Sequence, residues 1–278
     1  MKTIKFFTVL SFCAVVAFCG CKKSSDDNDG GNGTDHSADT IAASHLVGYW
    51  KFNGDVVDKK AHSDTAHNVT YTTDRFGNIN SAYKGSATTY VTVVPKTDLK
   101  VGSITMSVWL RAQQLTGGTS FILSYVDPSI DWNAGYGLWQ EGSSRTDTLR
   151  YKGFFMHQNS SVFTWLDTQY GQTANVQFST SKWIHLVYTY DGNTSIRGLY
   201  LNGAQIMKDT IKYNNALMGP ITVPATATNF YIGKNPNTAQ SWLGNYLGDM
   251  DDLRIYNTAL TSSQVKKLYD SENTVEGN

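Results

Sequence analysis

From Leu46 to the end of the chain, short apolar runs with strand-like alternation follow one another, and turn residues close many of them. Val47-Gly48-Tyr49-Trp50-Lys51-Phe52 leads into Asn53-Gly54. Tyr90-Val91-Thr92-Val93-Val94 stops at Pro95, and Ile104 to Leu110 alternates cleanly. Phe121 to Tyr125, Tyr136 to Trp139, Leu149 to Met156 and Val162 to Leu166 follow. Trp183 to Tyr190 ends at Asp191-Gly192, Gly198 to Leu201 ends at Asn202-Gly203, and Phe230 to Gly233 precedes a last run from Asp249. Asn-Gly and Asp-Gly stops are hairpin signals, and helical periodicity is almost absent. About a dozen such strands bury their apolar faces by packing as two antiparallel sheets, so an all-β two-sheet sandwich is expected. No internal repeat at solenoid or propeller spacing is present.

The first 44 residues read differently. Lys2 and Lys5 precede an apolar run from Phe6 to Phe18, too short to span a membrane as a mature helix, and Cys19-Gly20-Cys21 follows. Phe18-Cys19-Gly20-Cys21 resembles the bacterial lipobox, with Gly20 before the cut and Cys21 as the lipidated residue. The expected division is a signal peptide over 1–20 and a lipidated Cys with a flexible acidic tether over 21–44; ordinary secretion with an incidental Cys21 is the alternative. The tether, Lys22-Lys23-Ser24-Ser25-Asp26-Asp27-Asn28-Asp29-Gly30-Gly31 and onward, is too polar to support a core. Its acidic patch resembles the surface-export signal of lipoproteins in Bacteroidetes-type bacteria, a plain linker being the other reading. The expected location is the outer membrane, facing the cell surface or the periplasm, with a lipid anchor as the only membrane contact. Cys13, Cys19 and Cys21 all lie in this leader, so a core, helped at most by a metal, must hold the exported body. With 23 basic and 23 acidic residues, the chain is not basic enough for a nucleic-acid surface.

The C-terminal stretch from Gly248 to Tyr269 reads as a strand, a turn and a short helix. Met250, Leu253, Ile255 and Tyr256 form an apolar run interrupted by charge. Thr261 is a good N-cap, and Val265, Leu268 and Tyr269 share one helical face. This ending resembles the last strand and closing helix of laminin G-like domains in the concanavalin A-like lectin/glucanase superfamily. Leu46 to Asp58 resembles the opening strand of the family, and Thr73-Asp74-Arg75-Phe76-Gly77-Asn78 the loop before its second. Ile104 to Leu110, Trp183 to Gly192, Leu199 to Gly203 and Asp249 to Leu260 match further blocks in order. The resemblance implies a concanavalin A-like jelly roll of laminin G-like type over 45–273, with a tail at 274–278. Residues 113 to 180 match no block.

The resemblance also implies a structural calcium ion. Calcium takes six to eight oxygens, mixing carboxylates with carbonyls of bent loops. First and last strands are neighbours in this family, so Asp58 can meet Asp251 and Asp252, with carbonyls around Asn53 and Gly54 completing the shell. The alternative for Asp251 and Asp252 is an ion pair with Arg254 or turn capping.

Retaining glycosidases of the superfamily carry two Glu and an Asp at alternating positions of one strand, about 5 Å apart. This chain has only Glu141, Glu272 and Glu276, two of them near the C-terminus, and Asp249-Met250-Asp251-Asp252 lacks a third carboxylate at Leu253. Pairing of Glu141 with Asp127 or Asp131 has no support in the pattern. No His-Glu-x-x-His, Gly-x-Ser-x-Gly or phosphate loop occurs, and His185 reads as a core residue. No catalytic residue is therefore expected. Sugars stack on flat rings while their hydroxyls need amides and carboxylates. Trp50, Trp109 and Trp183 sit in family-pattern strands and read as core. Trp132, Tyr136, Trp139, Trp165, Tyr170 and Trp242 lie in or beside the atypical segments, and lining a concave sugar face is weighed against ordinary burial. The expected function is non-catalytic binding of an extracellular glycan or polysaccharide by a cell-envelope lipoprotein. Protein–protein adhesion to a surface protein through rim loops is the alternative, and glycoside hydrolysis a more remote one.

Overall fold

The structure, a computed structural model, describes residues 37–113, 115, 118–142, 148–156, 166–167, 176–177 and 182–274. Cys21, Trp165, Tyr170 and the tail at 275–278 lie outside these residues. The early strands are β1 (Leu46–Trp50), β2 (Ser63–His67), β3 (Thr70–Thr72), β4 (Ala82–Lys84), β5 (Tyr90–Val94) and β6 (Ile104–Arg111). Then come β7 (Thr119–Val126), β8 (Gly135–Gly142), β9 (Thr148–Phe155), β10 (Leu166–Asp167), β11 (Val176–Gln177) and β12 (Ile184–Asp191). The last are β13 (Ile196–Leu201), β14 (Ala204–Thr210), β15 (Lys212–Tyr213), β16 (Ala216–Leu217), β17 (Phe230–Ile232), β18 (Leu243–Asn245) and β19 (Asp249–Tyr256). Helix α1 (Ser262–Asn273) closes the fold.

Among the described residues the strands form two large sheets and one small hairpin, β15–β16. The first sheet runs β14-β13-β12-β6-β19-β4-β3, with β1 also on β19; the second runs β10-β9-β8-β7-β17-β5-β2, with β11 on β9 and β18 on β7. All pairings are antiparallel except β18, which lies parallel to the start of β7. This is the expected sandwich, with first and last strands hydrogen-bonded as Tyr49↔Arg254 and Trp50↔Leu253.

Alternation along each strand assigns its faces. Ile104, Met106, Val108 and Leu110 of β6 enter the core between the sheets, where Trp50, Tyr136, Leu138, Tyr188 and Phe230 also lie. Trp109 points to the opposite face, in a three-ring cluster with His185 at 5.1 Å and Tyr269 of α1 at 5.6 Å. That outer face is covered by α1 through Val265 and Leu268, which pack with Tyr49, Val187 and Tyr256. The helix starts where expected: Thr261 accepts from the backbone N–H of Gln264, whose side chain accepts from the N–H of Thr261 in return. Trp183 is half-buried just before β12, with the Arg111 guanidinium 5.1 Å from its ring.

The described body begins before Leu46. A 3-10 turn at Ser37–Thr40, within the expected tether, places Ala38 in the helix-side core and Asp39 on Arg254 at 2.8 Å. No helix among the described residues is long and apolar enough to cross a membrane.

Candidate functional site

On the outer face of the second sheet, alternation brings out a cluster of rings. Phe121 of β7, Trp139 of β8 and Phe154 of β9 pack there with Val126 and Leu243. Glycine makes room at one point: a Cβ on Gly137 would lie 2.6 Å from the Phe154 ring that crosses it. Trp132, from the β7–β8 connection, stacks on Trp139 at 4.9 Å, and Trp242 meets Trp132 edge-on at 5.3 Å. Burial falls from Trp139 at 1% exposed, through half-buried Trp132, to Trp242 at 44% exposed. The structure thus brings together three of the six expected sugar-contacting rings and leaves the outermost open to solvent.

Tyr136 is a correction. Three residues before Trp139 on one strand, it points to the other face, is fully buried between the sheets and donates its hydroxyl to Leu99 O at 3.0 Å. Burial raises the pKa of its phenol well above the ordinary value. The odd spacing was itself the signal that these two rings cannot share a face.

Trp242 borders a cleft of about 650 Å³, whose lining includes Ser120, Asn235, Thr238, Gln240, Ser241 and Asn245. Hydrogen bonds set the shape of this wall. Asn235 donates its amide to Leu243 O at 2.9 Å and accepts from the Asn237 N–H at 2.9 Å. Asn245 accepts from the Asn235 N–H at 2.8 Å and donates to Ala87 O at 3.0 Å. Trp242 O accepts from the Thr119 N–H at 2.8 Å, and its indole N–H donates to Gln240 Oε1 at 3.3 Å. Gly118 adopts φ +73°, and a Cβ there would lie 2.9 Å from Trp242 O. The result is a pre-formed wall with one exposed ring and a rim of amides and hydroxyls, without a charged side chain in its lining.

The carboxylates expected to hold calcium have other partners. Asp58 accepts from the backbone N–H of Tyr49 at 2.6 Å and of His62 at 3.2 Å, and bonds the His62 ring at 2.5 Å. The other ring nitrogen of His62 meets Asp98 at 2.9 Å. Although burial opposes its charge, the bonds from Asp58 and Asp98 raise the pKa of His62. Asp251 and Asp252 grip a different cation, the guanidinium of Arg75: one nitrogen bonds Asp251 and the other bonds Asp252 at 2.7 Å. Tyr49 adds its hydroxyl to Asp252 at 2.7 Å. Both aspartates reach Arg75 because β19 carries a bulge between Asp251 and Arg254, with Asp252 at φ +44°. Among the described residues, no group of three acidic, His or Cys side chains is placed to hold a metal. Asp58, expected to share one calcium with Asp251, Asp252 and the carbonyls of Asn53 and Gly54, is bonded to His62 and the Tyr49 backbone, whereas Asp251 and Asp252 are bonded to Arg75. With these carboxylates already bonded to His62 and Arg75, excess chelator is expected to leave the melting midpoint within about 1 °C of its value in millimolar calcium; a larger fall in differential scanning fluorimetry would restore the calcium site.

Four further acids among the described residues are also engaged. Glu141 lies on β8, paired with Lys152, and Asp249 pairs with Arg111 at 2.8 Å. Asp127 accepts from the N–H and hydroxyl of Ser129. Glu272 was expected near a tail but is buried in α1, accepting from Trp109 Nε1 at 2.8 Å and Arg254 Nε at 2.7 Å. It continues the Val265–Leu268 stripe, four residues beyond Leu268, which was a readable signal. His185 is buried as expected; burial, with Arg75 and Arg254 nearby, lowers its pKa to about 3, and it bonds Ser107 at 2.7 Å.

Residues 84–266 match the Laminin_G_3 family model, described as the concanavalin A-like lectin/glucanases superfamily. Domain 4 of AbnA, a GH43 extracellular arabinanase from Geobacillus stearothermophilus solved with arabinotriose, is similar at TM-score 0.55 and 22% identity; 81% of this chain covers 98% of that domain. The binding domain of Paraclostridial Mosquitocidal Protein 1 is similar at TM-score 0.58 and 17% identity, with 82% of this chain covering 52% of that one. The binding domain of botulinum neurotoxin DC in complex with SialylT is similar at TM-score 0.55 and 15% identity, with 83% of this chain covering 52%. The chain thus spans about half the length of these toxin domains, and at such identities the likeness is one of fold. No curated protein matches the chain.

Proposed function

We propose, from the premise that this chain belongs to the concanavalin A-like lectin/glucanases superfamily, that it is a non-catalytic glycan-binding module of the cell envelope. One observation carries the reading: an exposed tryptophan backed by two stacked ones opens onto a pre-formed cleft of amides and hydroxyls. A ring held this way meets the C–H face of a sugar at little ordering cost, and the polar rim is suited to its hydroxyls. The arabinotriose and SialylT complexes of the similar folds support sugar binding as the use of such a scaffold. The lipobox-like leader at Cys21 supports an anchored protein that captures extracellular polysaccharide or attaches the cell to it.

The test is a glycan array and affinity gels on the purified protein, with reducing-sugar release monitored. Binding without release is expected. Trp242→Ala should weaken it by about 10-fold or more, since loss of one stacking ring is worth about 1–3 kcal/mol by analogy with aromatic stacking on other planar ligands. Its melting midpoint should hold, because the ring is half exposed. Unchanged binding in Trp242→Ala would move the site elsewhere, and no glycan binding would favour protein adhesion through exposed loops such as the β15–β16 hairpin, where Tyr213 and Leu217 face solvent.

A further inference from the structure

We infer that the cleft continues past Asn235 into a subsite for an anionic sugar residue, carboxylated or sulfated, read by Lys234. This rests on the glycan reading above and adds the ligand's charge class. The Lys234 ammonium lies 4.5 Å from the ring centroid of Tyr231 and 4.7 Å from that of Tyr90. Tyr90 is itself stacked on His67 at 4.2 Å and 17°. Register puts Tyr231 opposite Thr92 on β5 and Ser124 on β7, and Tyr90 opposite His67 on β2. Val91 and Val93 of β5 face the inner core, so Tyr90 and Thr92 belong to the outer face of the second sheet, the face that also carries the tryptophan cluster.

What distinguishes this lysine is a half-buried ammonium set over two ring faces. Lys152 on the same sheet has Glu141, and Arg111 has Asp249. Among the described residues no carboxylate pairs with Lys234, and its neighbours are ring faces. Ring faces balance part of a positive charge but accept no hydrogen bond in the manner of an oxygen, so its three N–H donors remain available. Partial burial lowers its pKa, a sign that the ammonium is incompletely solvated there. The cleft offers no competing acid, because its lining is uncharged, and Asn235, next in the chain, forms part of that lining. An acidic group on a saccharide lying across Trp242 would therefore meet an unmatched cation at the Lys234 end. A neutral saccharide gains nothing from that charge.

The experiment compares matched pairs on the purified full chain: polygalacturonate and alginate against their carboxyl-reduced forms, and chondroitin sulfate against its desulfated form. At least one acidic member should be retained about 5- to 10-fold more strongly than its neutral counterpart, and the preference should shrink as salt rises from about 0.05 to about 0.5 M, as for a partly screened ion pair. Lys234→Met keeps the apolar stem over both rings and should abolish the preference while leaving the melting midpoint unchanged; Lys234→Arg should keep it. Equal retention within every pair, or an acidic preference that survives Lys234→Met, overturns the subsite. Binding confined to neutral glycans overturns it too while leaving the glycan reading intact, whereas Trp242→Ala without effect on any bound glycan strikes the cleft itself.

Discussion

Replacing Arg75 by alanine is expected to cost about 3–5 kcal/mol of folding stability, the usual result of stripping one partner from a buried ion group. For a domain of this size that is a fall of about 10 °C in melting midpoint. The guanidinium is almost fully buried, sits between Asp251 and Asp252, donates through Nε to Glu272 O at 3.0 Å, and lies 4.7 Å from the Trp109 ring. Without it, two adjacent carboxyl groups face each other in a closed space. Burial and Asp252 already push the Asp251 carboxyl well above the ordinary range. Burial also acts against the charge of Asp252, but Arg75 and Arg254 outweigh it and hold that group below the ordinary value.

The sign of the pH dependence follows. In the native protein, Asp252 contributes stability above its unfolded pKa and loses it as pH falls through the lower folded value. In Arg75→Ala its folded pKa rises instead, so protonation then favours the folded state. The stability gap between the two proteins should therefore narrow from about pH 7 to about pH 4. Paired urea melts across that range measure it, and a gap that is constant or widens would show that Arg75 acts through packing alone. The double variant Arg75→Met with Asp252→Asn should recover part of the loss, because only one acid, Asp251, is then left without its cation.

Glu272→Ala should be comparably severe, about 3–5 kcal/mol, for the opposite reason: the stranded charge is a cation. Arg254 is fully buried, with its guanidinium 3.6 Å from the Tyr49 ring, and it donates to Glu272 from Nε. Asp39, the other acid on Arg254, is about half exposed and is the weaker anchor. Loss of Glu272 also leaves the Trp109 indole N–H without its acceptor. Glu272→Gln keeps an acceptor of the same shape and should lose less, about 1–3 kcal/mol. Limited proteolysis adds a local readout. Cleavage after Lys266 or Lys267 should appear at lower protease in Glu272→Ala than in the native chain, since the acid pins the helix to the sheet; equal cleavage would place the damage elsewhere.

Strands with one face in the core were legible because their composition declares it. Tyr90–Val94 is exact, and Ile104–Leu110 and Trp183–Tyr190 fall within one residue of β6 and β12. Strands at the margins were not. β2, Ser-Asp-Thr-Ala-His, presents no buried side chain, and most of β14 is exposed, so neither carries an apolar period to find. The helix, its cap and the adjacency of β1 to β19 were all anticipated. The cation between Asp251 and Asp252 was not, because Arg75 is a loop residue 176 and 177 positions away and nothing local marks its destination. The bulge that turns two neighbouring aspartates toward one partner likewise leaves no mark in the pattern. At the cleft, Trp242 stood out as a ring among polar residues, whereas Lys234 looked like any surface lysine until its two tyrosine neighbours were placed.

The strand written last is the one in the middle. β19 lies between β6 on one side and β4 and β1 on the other, so residues 249–256 join what would otherwise be two separate ribbons. Until those residues arrive, β6 and β4 each present a bare row of amides and carbonyls, and the buried charges of Arg75 and Trp109's helix-side partner have nothing to close on. A chain growing from its N-terminus cannot complete this sheet early; it stays open through most of its synthesis and shuts in one late, long-range step. Such a delay leaves the body open to threading until residues 249–256 are made.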